Sequence, residues 1–328
     1  MTGTLLLAKT DVAQCLDMVE DLALLESAFR AQGEGRAAMP PKITLDMSGL
    51  DIPNWMNAMP AYLTSAEMCG IKWAGGFIDN PTKHSLPYVM ATLILNDPQT
   101  GLAVAIMDAA DITAVRTGGS AAIAARYLAR SDARVVALVG CGTQATVSLE
   151  ALNLLFDLEE VRASDVLFQA RDRLARRATE LGMQGRAVDS NREALEGADI
   201  ILTATTSDEP LVMKDWVDPG AVIIDLGSYQ ELDDALTRTA DKLIVDHRVQ
   251  TEHRGELAHL FQSGRMTQDD IYCELGEIIA GLVPGRESDD EIIVVIPIGM
   301  ASMDVAIGAA VLKRAQDLGL GQRFDFLA

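Results

Sequence analysis

The second half of the chain alternates short apolar runs with longer amphipathic stretches. The apolar runs predict buried strands at 135–139, 165–170, 199–203, 221–226, 243–246 and 292–296, and helical spacing lies between several of them. Strands that alternate with helices at this spacing are typical of a doubly wound parallel sheet. We therefore expect a Rossmann domain in this half.

The first half has a mixed pattern. An apolar stripe predicts one helix over 11–32, and short apolar runs separated by Asn-Pro turns predict a sheet of several strands over 43–107. Further helices are predicted over 111–129 and 303–318, the last of which is expected to pack back on the first domain.

These patterns predict an α/β protein of two domains. A first α+β domain covers 1–118 and is completed by a C-terminal helix over 303–328, and the Rossmann domain covers 119–302.

A glycine-rich turn directly follows the strand at 135–139 and opens a helix. Gly140 permits the tight turn, Gly142 lets the backbone approach a pyrophosphate, and Ala145 is small enough for close packing of helix on strand. The helix start at Thr143 and Gln144 supplies amide donors and the positive end of the helix dipole. The sequence therefore predicts a nicotinamide dinucleotide site at this turn.

The type of dinucleotide is decided at the end of the next strand. With that strand predicted over 165–170, Ala170 stands where an acid would bind the ribose, and Arg171 and Arg173 follow it. Arginine suits a 2′-phosphate by its charge and forked donors, so NADP(H) is favoured. NAD(H) is the alternative, with Asp172 on the ribose. Thr205, after the fourth strand, is expected to line the same crevice.

Charge and composition exclude several classes of partner. The chain of 328 residues has 48 acidic and 27 basic side chains, a formal net charge of −21. Such a surface repels phosphate backbones and anionic lipids, and no apolar run has the length of a membrane span. The four cysteines are scattered without ligand spacing, so no metal site is expected and a cytoplasmic setting fits best.

Three basic residues of the first domain lie in apolar surroundings. Lys72 is inside an apolar strand, Arg116 is flanked by alanine, valine and glycine, and Lys42 follows two prolines. A buried cation is costly unless it is paired, so together these residues are candidates for a substrate carboxylate site.

Across almost its whole length the sequence resembles the ornithine cyclodeaminase/μ-crystallin family. The motifs that carry the resemblance are Met59-Pro60-Ala61-Tyr62, Gly70-Ile71-Lys72, the stretch 108–118 with Arg116-Thr117, the Gly140–Ala145 turn, Gly227-Ser228-Tyr229, 281–286 and Gly299-Met300-Ala301. The resemblance implies a homodimer, whose first domain carries the substrate residues and the dimer sheet. It also implies substrate-carboxylate ligands at Lys72 and Arg116, a third at Lys42, and cofactor contacts at Thr117, Gly227 and Gly299.

Two departures from the family pattern bear on the substrate and on catalysis. Asn57 stands where ornithine cyclodeaminases carry a glutamate before the Met-Pro pair, which argues against ornithine. Tyr229 stands where they carry a catalytic aspartate, and the loop after it is shortened. The candidates for the catalytic acid/base are therefore Asp225, Tyr229 and Lys72.

The resemblance implies an NAD(P)H-dependent oxidoreductase acting on the C–N bond of a small amino or imino acid, as in ketimine reductases and alanine dehydrogenases. Two alternatives are an ornithine-type cyclodeaminase that uses NAD⁺ catalytically and a non-catalytic protein that binds NADPH. Net cofactor oxidation, ammonia release and binding without turnover distinguish the three.

Overall fold

The structure is a computed structural model that describes residues 3–52 and 54–328. It divides into two compact units. The first unit is Met1–Arg116 with Met300–Ala328, and the second unit is Thr117–Gly299.

Sixteen strands occur in the described residues. They are β1 Thr4–Leu7, β2 Ala37–Ala38, β3 Ile43–Asp46, β4 Asn54–Leu63, β5 Met68–Phe77, β6 Val89–Asn96, β7 Ala103–Asp108, β8 Val135–Val139, β9 Glu160–Ser164, β10 Gln184–Ala187, β11 Ile200–Thr203, β12 Val222–Asp225, β13 Lys242–Val245, β14 Cys273–Glu274, β15 Ile293–Ile296 and β16 Gln322–Phe324.

Eleven α-helices lie in the same described ranges. They are α1 Lys9–Cys15, α2 Met18–Gly33, α3 Ala110–Leu128, α4 Thr143–Asn153, α5 Phe168–Glu180, α6 Asn191–Leu195, α7 Asp234–Thr239, α8 Arg248–Thr251, α9 Ala258–Gln262, α10 Leu275–Ile279 and α11 Ala301–Leu318. None of the helices described is long and apolar enough to cross a membrane.

The first unit is built on one mixed sheet with the order β16-β1-β7-β6-β5-β4-β2, and β3 pairs with β4. Strands β4 to β7 pair antiparallel, and β1 joins β7 in parallel. Buried and less buried residues alternate along β4, as expected for a sheet with one face on a core.

Helix α11 covers that core face, since it packs on β4, β5, β6 and α2. Gly308 permits the close approach, because a Cβ there would overlap the Leu93 side chain of β6. Helix α11 is thus part of the first unit. The prediction of helix up to residue 328 is wrong, because Gly319 takes a left-handed conformation that ends α11 and β16 then pairs with β1.

The single helix predicted over 11–32 is two helices. Leu16 is extended, and the Asp17 carboxylate accepts hydrogen bonds from the backbone N–H groups of Val19 and Glu20, at 2.9 and 3.2 Å. An N-cap of this kind starts a new helix, and the apolar stripe that continues across the break does not reveal it.

The second unit is a fully parallel sheet with the order β10-β9-β8-β11-β12-β15-β13-β14. The chain winds outwards in one direction from β8 through β9 and in the other through β11, so the switch point lies at the carboxyl end of β8. This confirms the expected Rossmann architecture, with one addition. The late strand β15 inserts between β12 and β13.

The strand predicted over 165–170 is misplaced. Strand β9 ends at Ser164, and α5 starts at Phe168, so Ala170, Arg171 and Arg173 are helical. The apolar run Val166–Phe168, inside the predicted strand, is exposed: Val166 and Leu167 connect β9 to α5, and Phe168 begins the helix. Periodicity alone does not distinguish such a run from a short buried strand.

Candidate functional site

The turn between β8 and α4 has the geometry that the glycine pattern predicts. Gly140 has a φ of +86°, and a Cβ on it would lie 2.6 Å from the carbonyl oxygen of Ala204. Gly142 is exposed, and a Cβ there would meet nothing within 4 Å. Ala145 is fully buried beneath the turn. The backbone at Gly142 is therefore open to a ligand on one side and closely packed on the other.

The first turn of α4 is suited to an anion. Gly142 is its N-cap and gives no side-chain hydrogen bond to the helix. The Gln144 Oε1 atom is buried and has no hydrogen-bond donor among the residues that the structure describes. Open amide donors, a helix dipole and an orphaned polar atom together fit a dinucleotide pyrophosphate.

An acid that the sequence interpretation missed lies beside this turn. Asp165 directly follows β9, and its two carboxylate oxygens accept from the backbone N–H groups of Cys141 and Leu167, both at 2.8 Å. This is where an NAD-binding domain places its ribose ligand. The signal was available in the sequence as an acid directly after the short strand Glu160–Ser164.

The arginines expected at the cofactor have other contacts. Arg171 donates to the carbonyl of Val188 at 2.8 Å and to the Asp189 carboxylate at 2.6 Å, and its guanidinium stacks on Phe168. Arg173 is exposed on α5. The predicted strand end at Ala170 is wrong, because β9 ends at Ser164, but both arginines act electrostatically on Cys141 of the glycine turn and stay proposed cofactor residues.

Buried carboxyl groups occupy the carboxyl ends of β11 and β12. Asp225 is fully buried and accepts hydrogen bonds from the Thr203 hydroxyl at 2.7 Å and from the backbone N–H of Gly227 at 3.2 Å. Burial, followed by the charge of Glu231, raises the pKa of Asp225 well above its usual range. The Asp225 carboxyl therefore favours the protonated form over a wider pH range than an exposed aspartate does.

The remaining carboxyls of this cluster organise the neighbouring loops. Glu231 accepts from the backbone N–H and the hydroxyl of Thr205, and it fills the space where a Cβ on Gly227 would lie. Glu256 accepts from the backbone N–H groups of Glu231 and Leu232, and burial raises its pKa to about 8. The hydroxyl of Thr205 is therefore engaged with Glu231.

Other predicted site residues of the second unit differ in exposure. Tyr229 is 45% exposed at the Gly227 loop, and Thr117 is buried at the start of the unit. Gly299 has a φ of +94° and donates its N–H to the Asp246 carboxylate at 2.6 Å.

Two buried basic residues of the first unit, Lys72 and Arg116, contact the same acid, Asp304. The Lys72 Nζ donates to Asp304 Oδ1 at 2.8 Å, and Arg116 Nε lies 3.3 Å from the same oxygen. Lys72 also donates to the Thr113 hydroxyl at 3.3 Å. Lys72 and Asp304 are at most 1% exposed, and Arg116 is buried. Both cationic side chains are buried, and the acid that they share was missed by the sequence analysis.

Burial lowers the pKa of Lys72 to about 8. Asp304 opposes this shift by favouring the charged form, and the nearby Arg116 adds to it. A lysine near this value is mostly protonated at neutral pH and still transfers its proton readily.

Lys42 and Asn57 are placed by the register of the sheet. Lys42 directly precedes Ile43, which pairs with Ala58, and the next residue of β4, Met59, pairs with Lys72. Lys42 thus lies just before the end of β3 that pairs with β4 next to the Met59–Lys72 pair. Asn57 is buried, and its Oδ1 accepts from the Thr44 hydroxyl at 2.8 Å. In the part of the chain that the structure describes, no group of His, Cys, Asp and Glu could hold a metal ion.

Comparisons with known proteins agree with this architecture. The model of the ornithine cyclodeaminase/mu-crystallin family matches residues 3–318. An alanine dehydrogenase of Archaeoglobus fulgidus is 38% identical over 327 residues, 98% of each chain.

Two solved structures are similar over the whole chain. An archaeal alanine dehydrogenase dimer with bound NAD has a TM-score of 0.93, 38% identity and 99% coverage of both chains. The Delta(1)-pyrroline-2-carboxylate reductase of Thermococcus litoralis, in complex with NADH and L-proline, has a TM-score of 0.92 and 31% identity, covering 98% of this chain and all of that one. With the motifs in the order and spacing expected, the chain belongs to the ornithine cyclodeaminase/mu-crystallin family.

Proposed function

We propose that this protein is a nicotinamide-dependent oxidoreductase acting on the C–N bond of a small amino or imino acid. The observation that carries the proposal is the buried cluster of Lys72, Arg116 and Asp304, in a chain whose second unit carries an open dinucleotide turn at Gly142. Similar proteins are named for alanine dehydrogenation and for reduction of a cyclic imino acid, and they were solved with NAD or NADH.

The basic residues divide the work at the substrate. Arg116 and Lys42 bind the carboxylate, since a guanidinium offers forked donors and a lysine adds charge. When bound, the nicotinamide supplies the hydride to the imine carbon. Lys72 then protonates the imine nitrogen and is reprotonated from solvent, so that C=N becomes CH–NH. Its pKa of about 8 suits this role at neutral pH better than the buried Asp225 does.

The cofactor is proposed to be NAD(H) rather than the NADP(H) favoured by the sequence. Asp165 is anchored beside Gly142, and its remaining lone pairs suit the ribose hydroxyls, whereas its charge repels a 2′-phosphate. Val166, the next residue, adds no positive charge. Further proposed cofactor contacts are Thr117, Gly140, Thr143, Gln144, Ala145, Thr205, Gly227 and Gly299.

The substrate is proposed to be short. Asn57 occupies the place of the glutamate expected for ornithine, and its Oδ1 is held by Thr44. An amide offers no negative charge to a second substrate amine. The second amine of ornithine would therefore have no charged partner at this position. Tyr229 remains a proposed alternative to Lys72 as the acid/base.

We also propose a homodimer through the outer face of the first unit's sheet. The rows Ile43-Ala58-Trp73 and Leu45-Met56-Gly75-Met90 point away from Lys72 and α11. Ile43 and Leu45 are exposed, and Trp73 and Met90 are 39% and 37% exposed. A contiguous apolar face of this kind marks an interface, and the similar archaeal alanine dehydrogenase is a dimer.

The first test follows oxidation of NADH and NADPH with pyruvate plus ammonia or methylamine and with cyclic imino acids, beside ammonia release from ornithine with NAD⁺. NADH oxidation with an imino acid is expected. Ammonia release from ornithine without net NADH change would instead identify a cyclodeaminase, and binding without turnover would identify a binding protein.

The cofactor proposal has its own test. Replacing Asp165→Ser together with Val166→Arg removes the repelling charge and adds a phosphate ligand, so preference should move towards NADPH by about tenfold or more. Arg173→Ala is the matched control and should leave the preference unchanged. A wild-type preference for NADPH that falls in the control would refute the role of Asp165.

A further inference from the structure

Asp304 is the one acid that contacts both buried cations of the first unit within its described residues. It lies on α11, and its Oδ1 accepts a hydrogen bond from Lys72 Nζ at 2.8 Å and forms an ion pair with Arg116, whose Nε lies 3.3 Å away. The acid is fully buried. Its other oxygen, Oδ2, has no hydrogen-bond donor among the described residues, so the two cations on Oδ1 offset the desolvation of the carboxylate.

Asp304 reduces the positive charge of this cluster. Lys72, Arg116 and Asp304 together carry a net charge of +1, so Asp304 offsets one of the two buried cations. Without Asp304 the same space would hold two adjacent buried cations, which repel each other and favour loss of the lysine proton.

We propose that Asp304 is the positioning residue of the site, and that it holds Lys72 protonated and aligned with Arg116 so that Lys72 can serve as proton donor. This inference rests on the proposed function for its consequence in turnover. Asp304 acts through Lys72 and has no contact with the substrate in this assignment.

The groups around Lys72 determine the direction in which its pKa shifts when Asp304 is replaced. Asp304 on α11 favours the ammonium form, Arg116 on α3 opposes it, and Thr113 on α3 is an uncharged hydrogen-bond acceptor. Removing the Asp304 charge leaves burial and Arg116, both of which favour neutral lysine. The pKa of Lys72 should therefore fall further below its usual range.

The test compares Asp304→Asn with Thr113→Val. Asparagine keeps the size and an oxygen acceptor but loses the charge, whereas valine removes the other hydrogen bond of Lys72 and no charge. Lysine side-chain NMR, with Lys72→Met to assign the resonance, should show the Lys72 titration falling by about one pH unit or more in Asp304→Asn. In Thr113→Val it should move much less.

Turnover provides the second readout. The basic limb of kcat/KM for imine reduction should move to lower pH with the NMR titration. A fall of one pH unit from a pKa of about 8 makes Asp304→Asn lose about fivefold more activity near pH 8 than near pH 6. A loss that is equal at both pH values, with an unmoved Lys72 titration, would overturn the positioning role.

The two readouts separate this inference from the proposed function. A Lys72 titration that moves in Asp304→Asn supports the inference even when the wild-type protein turns over no imino acid, an outcome that would refute the proposed function alone. An unmoved titration in a protein that does reduce imino acids would refute the inference alone.

Discussion

Replacing Asp225 by asparagine should make the protein progressively more stable than the wild type as the pH rises. In the folded protein, burial and Glu231 raise the pKa of Asp225 well above the value near 3.8 of an exposed aspartate. Its Oδ2 and the Glu231 Oε2 are buried and have no donor among the described residues unless one carboxyl keeps a proton. An asparagine amide supplies that donor at every pH.

The magnitude follows from proton linkage. Between the unfolded and the raised folded pKa, the folded state binds one more proton than the unfolded state, so the free energy of unfolding falls by about 1.4 kcal/mol per pH unit. This stability is complete below the unfolded pKa and is lost as the pH rises through the folded pKa. The asparagine of Asp225→Asn binds no such proton. The free energy of unfolding of this variant therefore gains about 1.4 kcal/mol on that of the wild type for each pH unit.

The assay is urea unfolding at constant protein concentration, from about pH 5 to about pH 9. The difference between Asp225→Asn and wild type should widen by about 3 kcal/mol over two pH units below the raised pKa, and then level off. Glu256, whose pKa is raised to about 8, contributes a slope to both proteins that largely cancels in the difference.

A matched control is Asp97→Asn. Hydrogen bonds from Thr100 and Gln99 lower the pKa of Asp97, which is therefore ionised in both states above about pH 5. Its difference from wild type should be constant over this range. A constant difference for Asp225→Asn as well would refute the buried proton and would restore Asp225 as a candidate acid/base.

Three further predictions concern the cofactor turn, the core and the dimer. Gly142→Ala should weaken NADH binding in a fluorescence titration without lowering the Tm, because the added Cβ enters only the space that is open to the ligand. Gly49→Ala, which also adds a Cβ in open space, is the control and should change neither NADH binding nor the Tm. Gly308→Ala should lower the free energy of unfolding in urea by about 1–3 kcal/mol, because its Cβ overlaps Leu93 of β6; unchanged stability would show that α11 can shift. Trp73→Lys should convert the dimer to monomer in light scattering, whereas Leu318→Lys, an exposed apolar residue outside that face, should not.

The sequence alone was sufficient for features that depend on a few consecutive residues. The Gly140 turn combines a buried strand, a left-handed glycine and a helix start within a short segment, so its geometry follows from local chemistry. Lys72 was recognisable for the same reason, because it stands inside the apolar run Gly70–Ala74. The motif order was sufficient for the family, which the comparisons confirm.

The local sequence pattern was insufficient where two kinds of secondary structure produce the same spacing of apolar residues. The apolar run at Val166–Phe168 resembles a strand, yet β9 ends earlier because Glu160–Ser164 are the residues that pair with β8. With the strand ending at Ser164, the residue proposed to face the ribose is Asp165 and not an arginine of α5. The break between α1 and α2 was missed because Asp17 interrupts the helix without interrupting the apolar stripe.

Only the tertiary structure decided which charges meet. Lys72 and Asp304 are 232 positions apart, and nothing in either segment specifies the other. The carboxyls Asp225, Glu231 and Glu256 likewise come from different segments that the parallel sheet brings to one edge. Burial and neighbouring charge shift a pKa, and both depend on long-range packing, so the protonation behaviour of each cluster follows from the fold and not from any local motif.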